Sequence, residues 1–134
     1  MREFSVLLHS STSSERLGQV VSFVGEDNSG SFGILGGHAR MITFLNFGLA
    51  KIRYSNGEVE YIALPGGLIY FLNDELRIAT RQYFRSGDYD QMLNVLDSQL
   101  SIEEENLRGI HENLRRLDES ILKRILSLRT LGEL

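Results

Sequence analysis

The chain has 134 residues, 42% of them hydrophobic, which suits one domain with a modest core and argues against a disordered chain. Its 14 Lys and Arg against 18 Asp and Glu give a formal charge of −4, which argues against a nucleic-acid binder, because such proteins concentrate basic residues against phosphates. The absence of cysteine excludes disulfides, thiolate zinc sites and a cysteine nucleophile. No apolar run reaches the roughly 18 residues that span a bilayer, and no secretion signal opens the chain. We therefore expect a soluble, cytoplasmic chain.

The first half of the chain has the pattern of short strands separated by turns. Ten of its 13 glycines lie between Gly18 and Gly67, and the pairs Asn56-Gly57 and Gly66-Gly67 predict tight turns. The predicted strands are Phe4–Leu8, Gln19–Val24, Met41–Leu45, Ala50–Tyr54, Val59–Leu64, Leu68–Leu72 and Glu75–Thr80. Strands at this spacing predict a small antiparallel sandwich or barrel.

After the turn cluster Arg85–Asp88 the apolar period changes from two to that of a helix, so we place a boundary between domains 1–86 and 87–134. A short helix is predicted over about Asp88–Ser98, with a connection at Asp97-Ser98. A longer helix over Ser101–Leu131 begins with a capping box, Ser101 and Glu104. The apolar residues assigned to these two helices are Leu93, Leu96, Leu100, Leu107, Ile110, Leu114, Leu117, Ile121, Ile125 and Leu128. Together they predict an antiparallel two-helix hairpin.

The longer helix is expected to carry an apolar stripe that a short partner helix does not cover. Its distal part, about Leu117 to Leu131, either packs on the first helix and the β domain or meets another protein. Residues 115–129 hold five basic residues against two acidic ones. This excess either matches the helix dipole or forms a basic tip for an acidic partner.

No arrangement of residues in the sequence indicates catalysis. The three histidines, His9, His38 and His111, are far apart and lack a metal-ligand spacing. His38 follows Gly36-Gly37 in a turn, which favours a structural or interface role over that of a base. No nucleophile elbow or Walker A pattern is present, so we predict no catalytic residues, no metal and no cofactor.

The stretch 30–39, GSFGILGGHA, resembles the GEFGILPGHA motif of the ε subunit of F-type rotary ATP synthases. Three further landmarks follow in order: Phe47–Arg53 resembles PGxxxIR, Pro65–Ile69 resembles SGGFx, and Leu76–Thr80 resembles the final strand. The resemblance implies an α+β fold, an antiparallel β-sandwich followed by an antiparallel two-helix hairpin. It covers essentially the whole chain and is most specific between Gly30 and Thr80.

Several residues depart from the family pattern, which suggests a divergent branch similar to the sodium-dependent rotary ATPases. Gly36, Arg40 and Phe47 each stand where the family has proline, and Ser31 stands at a common glutamate position. The family's ATP-binding motif, I/L-D-x-x-R/K-A, is matched by residues 89–94, which keep the aspartate but lose the basic residue and the alanine. Without that basic residue, the phosphates of ATP would have no charge-assisted hydrogen-bond partner, so we expect no ATP sensing.

The resemblance implies a non-catalytic central-stalk subunit, monomeric when isolated, at the cytoplasmic face of the membrane. Its β domain would hold the γ subunit on one surface and rest on the c-ring through the loop Asn28–Met41, and it would meet the membrane only through that ring. The implied interface residues are Ser31, Phe32, Gly33, Ile34, Leu35, Gly37, His38 and Met41. The implied regulatory residues, which would meet the catalytic subunits when the tail extends, are Arg115, Arg116, Lys123, Arg124 and Arg129. The alternative is an adaptor that dimerises through its C-terminal heptads and binds a ligand with its β domain.

Overall fold

The computed structural model describes residues 1–100, within a compact unit that spans Met1–Ser101. The strands are β1 Phe4–His9, β2 Ser14–Asp27, β3 Gly30–Leu35, β4 Met41–Leu45, β5 Gly48–Tyr54, β6 Val59–Leu64, β7 Gly67–Leu72, β8 Glu75–Ala79 and β9 Phe84–Ser86. Helix α1, Tyr89–Val95, continues into a π-helical turn, Leu96–Leu100. The predicted long helix Ser101–Leu131, its capping box, its apolar stripe and its five basic residues lie outside the described residues.

The strand β2 joins the two layers of a β-sandwich. Its first half pairs with β1, and its second half, from Ser22 onward, pairs with both β3 and β5. Between these halves the ladder is irregular, and Gln19 has a φ of 58°. Such a bulge bends a strand and increases its twist. The strand order is β4-β7-β8-β1-β2-β5-β6-β9, and β3 pairs with β2 on the edge opposite β5. Because β2 bends, these strands form two facing layers.

The sandwich core follows from the period-two pattern that the strands share. The first strand, β1, buries alternate residues, and its Phe4 ring meets Phe71 of β7 edge-on, with 5.5 Å between the ring centroids. From the other layer, Ile52 and Ile62 are fully buried in the same cluster. Side chains of both layers thus form one apolar core, since every second residue of a strand points to the same face.

The seven predicted strands are confirmed, and Asn56-Gly57 forms the predicted tight turn between β5 and β6, with Gly57 at a φ of 90°. Three features differ from the prediction. Residues 30–35 form strand β3, so the expected loop Asn28–Met41 is wrong over that range. A ninth strand, Phe84–Ser86, pairs with β6. One pair, β1 with β8, is parallel, which departs from the antiparallel arrangement that we predicted.

Helix α1 packs on the outer face of β6. The predicted helix is confirmed here, but the expected connection at Asp97-Ser98 is wrong, because the chain remains helical to Leu100. Asp88 caps the helix by accepting a 3.1 Å hydrogen bond from the backbone N–H of Gln91. Met92, Leu96 and Leu100 are buried against Ala63, in a second apolar cluster. The predicted boundary at residue 86 stays a prediction.

Candidate binding surface

The motif segment divides between the core and the surface. In β3 the side chains of Phe32 and Ile34 point inward, and Ile34 is fully buried. Ser31 and Leu35 point outward, and Leu35 is 52% exposed. This alternation is what a half-buried strand requires. Of the predicted interface residues, Phe32, Ile34 and Met41 therefore contribute to the core, while the others lie at the surface.

A tight turn over residues 36–40 follows β3 and leads into β4. The backbone N–H of His38 donates to the carbonyl of Leu35 at 3.1 Å, and Gly37 has a φ of 82°. The His38 ring meets Phe71 edge-on at 5.9 Å, and its Nδ1 lies 2.7 Å from the carbonyl oxygen of Ala39. These contacts orient the exposed His38 ring through an aromatic and a backbone group, and no carboxylate takes part in them.

Strands β4 and β7 present apolar side chains to the outside, a surface that the sequence prediction missed. Phe44 is 70% exposed and Ile42 is 58% exposed. The register places Phe44 opposite Leu68 and Ile42 opposite Tyr70, so these side chains share one face with Leu72. We call Ile42, Phe44, Leu68, Tyr70 and Leu72 the β4–β7 face. The sequence of β4, MITFL, could have predicted this exposed apolar surface. A strand with one solvated face should have polar residues at alternate positions, whereas β4 has Ile42 and Phe44 there.

Basic residues flank the β4–β7 face. The guanidinium of Arg40 lies 5.8 Å from the centre of the Tyr70 ring, in cation–π geometry. Arg77 on the neighbouring strand β8 and Arg16 on the more distant β2 lie on the same face and pair with Glu75, at 2.7 Å and 3.8 Å. These three arginines and one glutamate form a group with a net positive charge. The arrangement suits a protein partner with an apolar ridge and acidic residues beside it.

The described residues hold no obvious chemical centre. Among residues 1–100, no group of three or more His, Asp and Glu is placed to hold a metal ion. A partly open recess lined by Gly25, Leu45, Phe47 and Leu64 has a volume of about 30 Å³, which fits water and not a substrate. Three larger recesses, of about 240, 310 and 440 Å³, are more open to solvent. Within that same part of the chain, no helix is long and apolar enough to cross a membrane.

Comparison with known proteins identifies the family. The domain family described as ATP synthase, Delta/Epsilon chain, beta-sandwich domain matches residues 5–86. The chain is 29% identical to the chloroplastic ATP synthase epsilon chain of Pelargonium hortorum over 102 residues, 76% of this chain and 75% of that protein. It is 32% identical to the epsilon chain of Medicago sativa over 72% of this chain and 74% of that one. The chain belongs to the ATP synthase delta/epsilon family.

A solved structure shares the fold of this epsilon-family chain. It comes from the mitochondrial ATP synthase of Euglena gracilis, determined as OSCP, F1 and c-ring in rotational state 1. The TM-score is 0.60 at 18% identity, and the match covers 72% of this chain and 63% of that chain. At this identity the likeness concerns the fold alone.

The epsilon-family ATP motif falls on helix α1. Its aspartate position is Asp90, in the exposed first turn. The position of the family's basic residue is Leu93, which packs against the apolar cluster between α1 and β6. The side chain at that position therefore serves packing on the sandwich and offers phosphate no charge.

Proposed function

We propose that this chain is the central-stalk subunit of an F-type ATP synthase that joins the γ subunit to the membrane c-ring. The observation that carries the proposal is the β4–β7 face, which adjoins the motif turn over residues 36–40. Phe44 at 70% and Ile42 at 58% exposure are costly to leave in water unless a partner covers them. Family membership makes γ the partner that this face fits.

The surface residues of the motif segment extend this interface toward the c-ring. The predicted residues that lie outward are Ser31, Gly33, Leu35, Gly37 and His38. Leu35 adds a second exposed apolar side chain, on β3. Phe32, Ile34 and Met41 would support this interface indirectly, because their side chains pack in the core and hold the backbone of β3 and β4 in place. The sandwich would then transmit torque between the ring and γ as a rigid body.

The chain would have no catalytic step of its own and would need no cofactor. Synthesis and hydrolysis of ATP would belong to the α and β subunits, and nucleic acid would not be a partner. The subunit would lie peripherally on the cytoplasmic face of the membrane and contact the bilayer only through the c-ring. In isolation we expect a monomer, which separates this function from that of a heptad-dimerising adaptor.

The C-terminal domain, residues 87–134, would regulate hydrolysis as a two-helix hairpin. Helix α1 packs on β6, which suits the permissive, folded position of such a tail. In an extended position the five basic residues Arg115, Arg116, Lys123, Arg124 and Arg129 would meet acidic surfaces of the catalytic subunits. Rotation in the hydrolysis direction would then be blocked.

Replacement of Phe44 by serine tests the β4–β7 face. The variant is compared with Tyr89→Ser, which removes a 48% exposed aromatic side chain from helix α1. We expect Phe44→Ser to weaken binding to a purified γ–c-ring subcomplex by about tenfold or more, as loss of a buried aromatic contact predicts. Binding by Tyr89→Ser should stay near that of the wild type.

The measurement is a titration of labelled chain against the subcomplex, with light scattering on the free chain. Equal binding by the two variants would show that γ does not cover the β4–β7 face. If the wild-type chain binds neither γ nor the ring and dimerises with rising concentration, the adaptor function replaces the central-stalk function.

A further inference from the structure

A carboxylate from a distant hairpin holds the motif turn. Asp74, in the turn between β7 and β8, accepts a hydrogen bond from the backbone N–H of Gly37 at 2.7 Å through Oδ1. Its other oxygen, Oδ2, accepts from Nε of Arg2, also at 2.7 Å. One side chain thus joins the N-terminal segment to the turn over residues 36–40. Hydrogen bonds to an ionised acceptor are stronger than neutral ones.

The position of Asp74 is itself restricted by the hairpin. Asn73 and Asp74 have φ values of 51° and 57°, which is the left-handed pair that a two-residue hairpin turn requires. The carbonyl of Asp74 accepts a hydrogen bond from the backbone N–H of Ser5 at 3.1 Å, which fastens the hairpin to β1. The Gly37 N–H, and after it Arg2, hold the pKa of Asp74 below its ordinary value. The carboxylate is therefore presented to the turn from a fixed backbone in its charged form.

The N-terminal segment lies directly over the two glycines of the turn. A Cβ added to Gly36 would stand 2.5 Å from the carbonyl oxygen of Arg2, closer than any real contact. A Cβ on Gly37 would stand 3.1 Å from Nη1 of Arg2 and would be strained at that positive φ. A proline at position 36, as in the family motif, would meet the Arg2 backbone. The backbone of Arg2 can therefore lie over the turn only because position 36 is glycine.

We propose that Arg2 and Asp74 are positioning residues that lock the motif turn in its partner-binding shape, and this rests on the proposed function. Where the family motif stiffens the turn with proline, this chain stiffens it with a clamp of three parts, Arg2, Asp74 and the Gly37 amide. The turn leads from exposed Leu35 into β4, so its order sets the relation between β3 and the β4–β7 face. Ordering of a binding segment before contact raises affinity, because less entropy is lost on binding.

Two variants of Asp74 separate the clamp from general stability. Asp74→Gly removes both hydrogen bonds and tolerates the positive φ, and Asp74→Asn keeps an oxygen for Gly37 but loses the charge. Glu58→Gln is the matched control, because it removes an exposed carboxylate from another hairpin turn, the one between β5 and β6. The readouts on the full chain are hydrogen exchange of the turn amides and affinity for the γ–c-ring subcomplex.

Asp74→Gly should speed exchange of the Gly37 amide by about tenfold or more, as loss of a charged hydrogen bond predicts. It should also weaken binding, with an intermediate loss for Asp74→Asn and wild-type values for Glu58→Gln. Unchanged exchange in Asp74→Gly would overturn the clamp. Faster exchange with undiminished binding would overturn the positioning role. Failure of the wild-type chain to bind would instead refute the proposed function, and the positioning role with it.

Discussion

Arg85 joins three strands through its guanidinium group. From β9 it donates to both oxygens of Glu15 on β2, at 2.9 Å and 3.1 Å, and to Glu60 on β6 at 2.7 Å. The hydroxyl of Tyr83 donates to Glu15 at 2.6 Å, and that of Tyr54 donates to Glu60 at 2.9 Å. The hydrogen bonds from Arg85, and then that from Tyr83, lower the pKa of Glu15. Five polar side chains thus fasten β9, the strand that leads into α1.

Glu15→Gln should lower the free energy of unfolding by about 1 kcal/mol at neutral pH, a value discounted for partial exposure. Because the folded pKa of Glu15 is depressed, its contribution is present above the unfolded pKa of about 4.3 and is lost as pH falls through the folded pKa. The two proteins should therefore converge in stability at acidic pH. Urea unfolding at several pH values measures this, with exposed Glu58→Gln as control. A difference that persists undiminished in acid would contradict it.

Helix α1 is bound to the sandwich because β6 is apolar on both faces. Ile62 and Leu64 point into the sandwich core, while Ala63 points outward and is fully buried beneath the helix. Partly buried aromatic residues, Tyr61 and Phe84, surround it, and Tyr61 meets Tyr89 of α1 edge-on at 5.1 Å. The outer face of β6 is thus completed by the helix.

A chain that ends after Gly87 should be less stable than one that ends after Leu100. Burial of Met92, Leu96 and Leu100 contributes roughly 1.5–3 kcal/mol each before chain entropy is subtracted, so we expect a net difference of about 2–4 kcal/mol. The full chain is the reference, and urea unfolding followed by far-UV circular dichroism gives the comparison. Equal stability of the two truncated chains would support an energetic boundary at residue 86.

At the scale of the whole molecule, the described unit and the C-terminal segment have different proposed tasks. Met1–Ser101 forms one compact unit, which carries the β4–β7 face and the clamped turn. The basic residues proposed to regulate hydrolysis all lie beyond it, between residues 115 and 129. Attachment and regulation are therefore separable by a cut after Ser101.

Deletion of residues 102–134 should raise ATP hydrolysis by the assembled complex severalfold and leave its assembly unchanged, because the β4–β7 face is retained. Replacement of the five basic residues by glutamine in the full chain should raise hydrolysis as well, if charge makes the contact. Steady-state hydrolysis by the reconstituted complex measures both. An unaltered rate in the deletion variant would refute the inhibitory role. A raised rate in the deletion variant alone would assign the inhibition to contacts other than charge.

Much of the sandwich could be predicted from local pattern. Val59–Leu64 has the bounds that period-two alternation predicted, and Met41–Leu45 has the bounds predicted from a short apolar run between turns. The turn at Asn56-Gly57 followed from residue type, because few other residues accept positive φ. Strand β3 was missed, although Phe32 and Ile34 alternate with polar and small residues, because the motif was interpreted as a loop.

Local sequence was enough to predict seven of the nine strands among residues 1–100, the Asn56-Gly57 turn and the family motif, because each depends on residues close together in the chain. Which apolar residues are covered depends instead on the fold: Phe44 is exposed while Ala63 is buried, although both lie in apolar strands. Only the fold brings Arg2 to Asp74, 72 residues away. Such contacts depend on how the layers close around β2, and no local pattern encodes the distance between remote segments.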